Sequence, residues 1–236
     1  MKVDKLKGKL FGIGAGPGDP ELLTIKAINA IKKCCVIVVP KTGSGEKTAF
    51  AIIEKYLDGK ELLECRFLMD KDITKRKEAR QIAANDIIRF LDEGKDVGFV
   101  TLGDPTTYST YMYVHEIIAE RGYDTQIIPG ITSYAAAAAE LGIALCMGDE
   151  ALTIISPHHN GSIDKMLDYP GNKVIMKSGE KLGRVLEKLK ECGYGDHTKI
   201  ASHVSTDNQR LYANIEEYEK YAKTGYFTLA IVKEKG

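Results

Sequence analysis

Through the first 130 residues of this chain, short apolar runs of strand length alternate with stretches of helical spacing. The runs at 9–12, 36–39, 62–67, 97–102 and 125–128 are nearly continuous in apolar residues; 22–31, 48–56, 73–92 and 108–120 carry the helical pattern between them. A strand that is apolar on both faces must be covered on both. A helix between consecutive strands supplies the crossover that parallel pairing needs. The alternation therefore predicts an α/β lobe on a parallel sheet flanked by helices. Gly94 and Gly122 stand where two of these helices want a C-terminal cap.

The pattern restarts after Gly148-Asp149-Glu150, which reads as a connector. Strand-like runs at 152–156, 173–176, 198–204 and 227–232 are separated by helical stretches at 163–167, 182–192 and 216–221, and the order predicts a second α/β lobe on a mixed sheet. Alanines 135–139 read as a helix that approaches another backbone closely. A chain of 236 residues holds two lobes of roughly 100–130 residues each. The expected division is 1–130 and 131–236, without a flexible linker and with a ligand cleft where the lobes meet.

Lys+Arg and Asp+Glu are equal at 33, so no global field recruits nucleic acid or an anionic membrane, and neither is an expected partner. No apolar run approaches the roughly 18 residues of a membrane span. Met1-Lys2-Val3-Asp4-Lys5-Leu6-Lys7 lacks the apolar core of a signal peptide, so a cytoplasmic protein is expected. Cys34, Cys35, Cys65, Cys146 and Cys192 form no Cys-x-x-Cys pair; they read as free thiols, and no metal site is expected.

The run Gly12-Ile13-Gly14-Ala15-Gly16-Pro17-Gly18-Asp19-Pro20 joins the first strand to the first helix. Such a turn usually lets a ligand approach the backbone. It is not a P-loop, because Gly18-Asp19-Pro20 stands where Gly-Lys-Ser/Thr would be needed. It is not a dinucleotide fingerprint either: the third glycine is misplaced, and the next strand ends in Pro40-Lys41 with no carboxylate for a ribose. A tight packing turn remains open. Two later loops share the design, Leu102-Gly103-Asp104-Pro105-Thr106-Thr107 and Pro129-Gly130-Ile131-Thr132-Ser133. In a parallel sheet all three lie at the carboxyl ends of strands, where ligands bind. Asp19 and Asp104 disfavour a polyanion there; a sulfonium, an amine or ribose hydroxyls suit a carboxylate better. Asp104 also reads as a turn aspartate before proline, and Thr132 and Ser133 as helix N-caps.

These three loops, in this order, closely resemble the tetrapyrrole (corrin and porphyrin) methylase family, and the likeness runs across essentially the whole chain. The resemblance implies two α/β lobes with S-adenosylmethionine folded into the cleft between them, a tetrapyrrole acceptor and a homodimer. The stretch Gly103-Asp104-Pro105-Thr106-Thr107-Tyr108-Ser109-Thr110-Tyr111 and the closing Tyr226-Phe227-Thr228-Leu229-Ala230-Ile231-Val232 are similar to the branch that methylates C-20 of precorrin-2 or cobalt-factor II in vitamin B12 synthesis. Carried over residue by residue, cofactor contact falls on Pro17, Leu102, Gly103, Asp104, Thr107, Thr132, Ser133, Met176 and Val204. Near Val204 the glycine and asparagine of sirohaem-type relatives are missing. The opening loop, by the same resemblance, faces the tetrapyrrole more than the nucleoside.

Methyl transfer from a sulfonium to an enamine-like carbon needs no protein nucleophile, so the expected contribution is positioning. No residue pair singles out a general base. His158-His159 read as loop histidines or as groups facing the cleft. Lys41, Arg66, Lys177 and Arg210 are candidates for the acceptor's carboxylates or plain surface charges, and Tyr108, Tyr111 and Tyr113 a packing cluster or a stacking platform. Methylation at another tetrapyrrole position or of a macromolecule, and a non-catalytic sensor of an adenosyl ligand, are the alternative functions.

Overall fold

The alternation of apolar runs is realised as two sheets, each in its own compact unit, Met1–Thr132 and Ser133–Gly236. The computed structural model describes residues 6–41, 44–67, 72–157, 165, 167–222 and 227–234. His158-His159 and nearly all of the helix expected at 163–167 lie outside the described residues, as does Tyr226.

In the first unit the order is β1 (Leu10–Gly14), α1 (Ile25–Lys33), β2 (Val36–Lys41), α2 (Ser44–Ile53), β3 (Glu61–Arg66), α3 (Ile73–Asp92), β4 (Val97–Thr101), α4 (Tyr111–Glu120) and β5 (Thr125–Ile128). All pairings are parallel, in the order β3-β2-β4-β1-β5. The pleat explains why the strands are apolar throughout. Leu10, Val36, Val38, Val97 and Phe99 pack with Ala84, Ile87, Leu91, Tyr111, Val114 and Ile118 of α3 and α4 on one face. Phe11, Ile13, Ile37 and Val100 pack with Ala27, Ile31, Ile52 and Ile53 of α1 and α2 on the other. Gly12 is a packing glycine: a Cβ there would stand 2.0 Å from Cζ of the fully buried Tyr111. Gly94 and Gly122 close α3 and α4 with φ of 81° and 79°, as expected of C-capping glycines.

The helix expected from residue 108 starts at Tyr111. Ser109 supplies the reason: its Oγ accepts from Tyr111 N (3.2 Å) and shares a hydrogen bond with Thr101 Oγ1 (2.9 Å), while Tyr108 sits at φ 50°. A serine hydroxyl that accepts from the backbone two residues on offers the chain a local turn in place of helix, and the helix begins after it.

The second unit runs α5 (Ser133–Glu140), β6 (Leu152–Ile155), β7 (Asn172–Ile175), α6 (Leu182–Glu191), β8 (Thr198–Ser202), β9 (Arg210–Tyr212), α7 (Ile215–Tyr221) and β10 (Thr228–Val232). Its sheet is mixed, in the order β6-β7-β10-β8-β9, with β6 and β7 parallel and β10 antiparallel to both β7 and β8. Leu182, Val185, Leu186 and Leu189 form the inner stripe of α6 and pack with Ile175, Ile200, Ala230 and Val232. The short edge strand β9 is an addition to the expected set; three residues beginning with an exposed arginine give no readable alternation. No helix among the described residues is long and apolar enough to cross a membrane.

Candidate functional site

Strands β4, β1 and β5 are neighbours, so the loops leaving their carboxyl ends lie side by side. Their glycines serve backbone-to-backbone contact. Gly103 N–H donates to Gly16 O at 2.7 Å and Gly16 N–H donates to Gly103 O at 3.2 Å, an isolated antiparallel bridge between the first two loops. A Cβ on Gly130 would lie 2.2 Å from Gly103 O and 2.8 Å from Gly14 Cα; one on Gly14 would lie 2.5 Å from Gly130 N. Only glycine permits this approach. The misplacement of these glycines for either nucleotide template thus has a physical cause: they are spaced for each other.

The two Asp-Pro dipeptides are the same device at two depths. Asp19 Oδ1 accepts from Glu21 N at 2.8 Å, with Pro20 opening a short 3-10 turn, and Thr24 Oγ1 then caps α1 through Ala27 N at 3.1 Å. Asp104 Oδ1 likewise accepts from Thr106 N at 2.8 Å, and from Thr106 Oγ1. Asp104 differs in being buried and in using its second oxygen, which accepts from Gly130 N at 2.9 Å. Its carboxylate is thereby committed to the protein, tying the second loop to the third.

The remaining residues expected at the site fall around this knot. Pro17 is buried in the first loop, and Leu102 and Gly103 are half-buried where β4 ends. Gly103 has φ 73° and nothing within 4 Å of where a Cβ would stand, so its outer side is open. Thr107 bonds through its backbone to Asp104 O at 3.3 Å. Thr132 ends the first unit and Ser133 begins the second, at the start of α5. Among the described residues the half-buried hydroxyls of Thr107, Thr132 and Ser133 have no hydrogen-bond partner. The tyrosines separate: Tyr111 is core, its hydroxyl 3.0 Å from His115 Nδ1, and burial, opposed by the Gly12 backbone, pushes its phenol up. Tyr108 and Tyr113 are exposed, with the Arg80 guanidinium stacked 3.5 Å from the Tyr113 ring centroid.

In the second unit β6, β7 and β8 run in one direction, because β7 and β8 are both antiparallel to β10. Buried Met176 directly follows β7, and buried Val204 lies two residues beyond β8. Both sit beside strained backbone. Lys177 has φ 54°, His203 φ 51° and Ser205 φ 61°. With Tyr108 these are all the described non-glycine residues at positive φ, and every one follows the carboxyl end of a strand. Such conformations cost of order 1–3 kcal/mol each and collect at functional sites. The loop after β8 is held by Gln209, whose Oε1 accepts from Ser205 N at 2.7 Å while its Nε2 donates to Glu140 of α5 at 2.8 Å.

Sequence reasoning missed His203 and the left-handed backbone at Lys177, since nothing in a non-glycine residue type announces that conformation. Of the other basic candidates, Arg66 is exposed at the end of β3, and Arg210 is exposed on β9, where its Nη1 donates to Gln209 O at 2.7 Å. The side chain of Lys41 lies outside the described set. Among the described residues no group of three or more His, Cys, Asp or Glu is placed to hold a metal ion.

The family model described as tetrapyrrole (corrin/porphyrin) methylases matches residues 9–219. The probable cobalt-precorrin-2 C(20)-methyltransferase of Methanocaldococcus jannaschii is 34% identical over 232 residues, covering 98% of each chain. The cobalt-precorrin-2 C(20)-methyltransferase of Salmonella typhimurium is 26% identical over 233 residues, again covering 98% of each. A solved uroporphyrin-III C-methyl transferase from Thermus thermophilus, complexed with S-adenyl homocysteine, shares the fold with a TM-score of 0.72 at 20% identity, over 96% of this chain and 98% of that one.

Proposed function

The chain belongs to the tetrapyrrole (corrin/porphyrin) methylase family, and from that premise we propose that it transfers a methyl group from S-adenosylmethionine to C-20 of precorrin-2 or its cobalt complex in cobalamin biosynthesis. The observation that carries this reading is the end-to-end match to a relative named for that reaction, with 98% of both chains aligned. The two units act as the two lobes of one methylase.

The residues present suit the methyl donor. Around the knotted loops the outer side of Gly103 is open to a ligand, and among the described residues Thr107, Thr132 and Ser133 offer half-buried hydroxyls without hydrogen-bond partners. Leu102 and Pro17 add apolar surface; Met176 and Val204 do the same in the second unit. Asp104 acts by fixing the loop. When bound, S-adenosylmethionine supplies a methyl group already activated by its sulfonium, so no nucleophilic side chain is required. The work left to the chain is binding and orientation. Holding the reacting carbons in a near-attack arrangement supplies at most roughly 7–11 kcal/mol of the barrier. Strained loops locked by buried hydrogen bonds are suited to that task, because they keep their geometry without the ligand.

The reaction retains one methyl on the acceptor and releases the proton that C-20 carried. Titration calorimetry with S-adenosylhomocysteine tests the donor site: one site per chain is expected, and absence of binding refutes it. Two finer points belong to the same reading. The protein works in the cytoplasm, consistent with all five cysteines being free thiols, and as a homodimer, as the resemblance implies. Light scattering at micromolar concentration checks the latter; a monomer mass contradicts it.

A further inference from the structure

Beyond β8 the chain closes a turn on itself. His203 N–H donates to Phe227 O at 2.9 Å, and Thr206 returns to His203 O through its N–H at 3.2 Å and its hydroxyl at 2.8 Å. Gln209 N–H donates to Thr206 O at 2.9 Å, and the His203 ring packs 5.4 Å from that of Phe227. Inside this frame buried Val204 stands between two residues in left-handed conformation, His203 at φ 51° and Ser205 at φ 61°. A turn with positive φ at its third residue is ordinarily given to glycine or asparagine. A serine keeps that conformation only where its surroundings over-determine it.

The group that does so at Ser205 is the Gln209 side chain. Its Oε1 accepts from Ser205 N at 2.7 Å, and its Nε2 donates to Glu140 Oε2 at 2.8 Å. One amide therefore holds the strained turn and fastens it to the last residue of α5, the helix that begins at Ser133. Ser133 and Val204 both belong to the residues assigned to the methyl donor, and the whole link lies within the second unit. An amide suits the place because it offers an acceptor to an N–H and a donor to a carboxylate at once. We infer that Gln209 is a positioning residue for the methyl donor, holding the Val204 turn and α5 in one arrangement before the ligand arrives. The inference rests on the methylase reading.

The test exchanges donor and acceptor across this link, read by titration calorimetry with S-adenosylhomocysteine and by melting temperature. Gln209→Glu keeps an acceptor for Ser205 N–H but sets a second carboxylate against Glu140. The turn is then in place for only part of the time, and the apparent affinity falls by that fraction. A loss of about threefold to tenfold is expected. Adding Glu140→Gln gives the new carboxylate a donor to face, so the double variant should return to within about twofold of the wild type. Glu140→Lys carries the test should Gln209→Glu not fold. Its ammonium, on the exposed end of α5, attracts Oε1 in place of Nε2 and turns the amide away from Ser205. Affinity should fall by about threefold while the melting temperature holds or rises, since a cation suits a helix C-terminus. Unchanged affinity in both Gln209→Glu and Glu140→Lys, whatever their melting temperatures, overturns the inference and leaves the methylase reading intact. So does a double variant as weak as Gln209→Glu. Failure of the wild type to bind S-adenosylhomocysteine overturns both.

Discussion

Replacing Asp104 by alanine separates a structural tie from a simple turn residue, because Asp19 provides an internal reference. At Asp19 the carboxylate holds one backbone N–H, that of Glu21, on a partly exposed loop. Loss of such a cap costs about 1 kcal/mol. At Asp104 the carboxylate is buried and accepts from Thr106 N, Thr106 Oγ1 and Gly130 N. Hydrogen bonds to a charged group contribute about 1.5–3 kcal/mol each, and the Gly130 N–H would be left unpaired between loops. Allowing water to reach part of the gap, Asp104→Ala should cost about 3–5 kcal/mol. For a unit of this size, 1 kcal/mol corresponds to roughly 3–4 °C, so the melting temperature should fall by about 9–20 °C, against about 3–4 °C for Asp19→Ala. Scanning calorimetry measures both, and titration with S-adenosylhomocysteine should show weakened binding for Asp104→Ala alone. Equal losses of melting temperature in the two variants would refute the tie between the second and third loops.

Gly130→Ala places a Cβ 2.2 Å from Gly103 O and should destabilise the first unit by several kcal/mol, whereas Gly103→Ala meets no atom within 4 Å and should cost only about 1 kcal/mol of left-handed strain; urea titration of both distinguishes them. In the native protein, a thiol reagent at pH 8 should modify exposed Cys35, Cys146 and Cys192 and spare Cys34 and Cys65, as read by mass spectrometry of the peptides; rapid labelling of either buried thiol contradicts the packing. Burial pushes the thiols of Cys34 and Cys65 from 9.0 up to about 12, with Asp96 adding to the first and Asp86 to the second. Since the folded values lie above the unfolded ones, their contribution to stability is complete below pH 9 and lost as pH rises towards 12. Cys65→Ala should therefore flatten the fall of melting temperature with pH in that window, and an unchanged slope refutes the assignment.

Much of the fold was legible because each signal had one cause. Runs apolar on both pleat faces meant a sheet covered by α1 and α2 on one side and by α3 and α4 on the other, and the coordinates place Phe11 and Leu10 in opposite cores accordingly. Gly94 and Gly122 announced helix ends. What sequence could not convey was which glycines answer which neighbours. The spacing of Gly14, Gly16, Gly103 and Gly130 resembles a phosphate loop gone wrong until the three turns are seen to interlock. Asp104 was read as a possible ligand carboxylate because its acceptors face Gly130, 26 residues away, and no local pattern reports that bond. The left-handed backbone at Lys177, His203 and Ser205 stayed hidden for a similar reason: at such residues it is imposed by tertiary packing.

The most direct measurement of the central claim is the position of the transferred methyl group. Incubation of the protein with S-adenosylmethionine carrying a 13C-labelled methyl, in parallel with precorrin-2 and with its cobalt complex, followed by carbon NMR of the product, reads that position. The account predicts one label per ring, bonded to C-20, with at least one of the two rings. A label on any other carbon, or none on either ring from protein that binds S-adenosylhomocysteine, would contradict it.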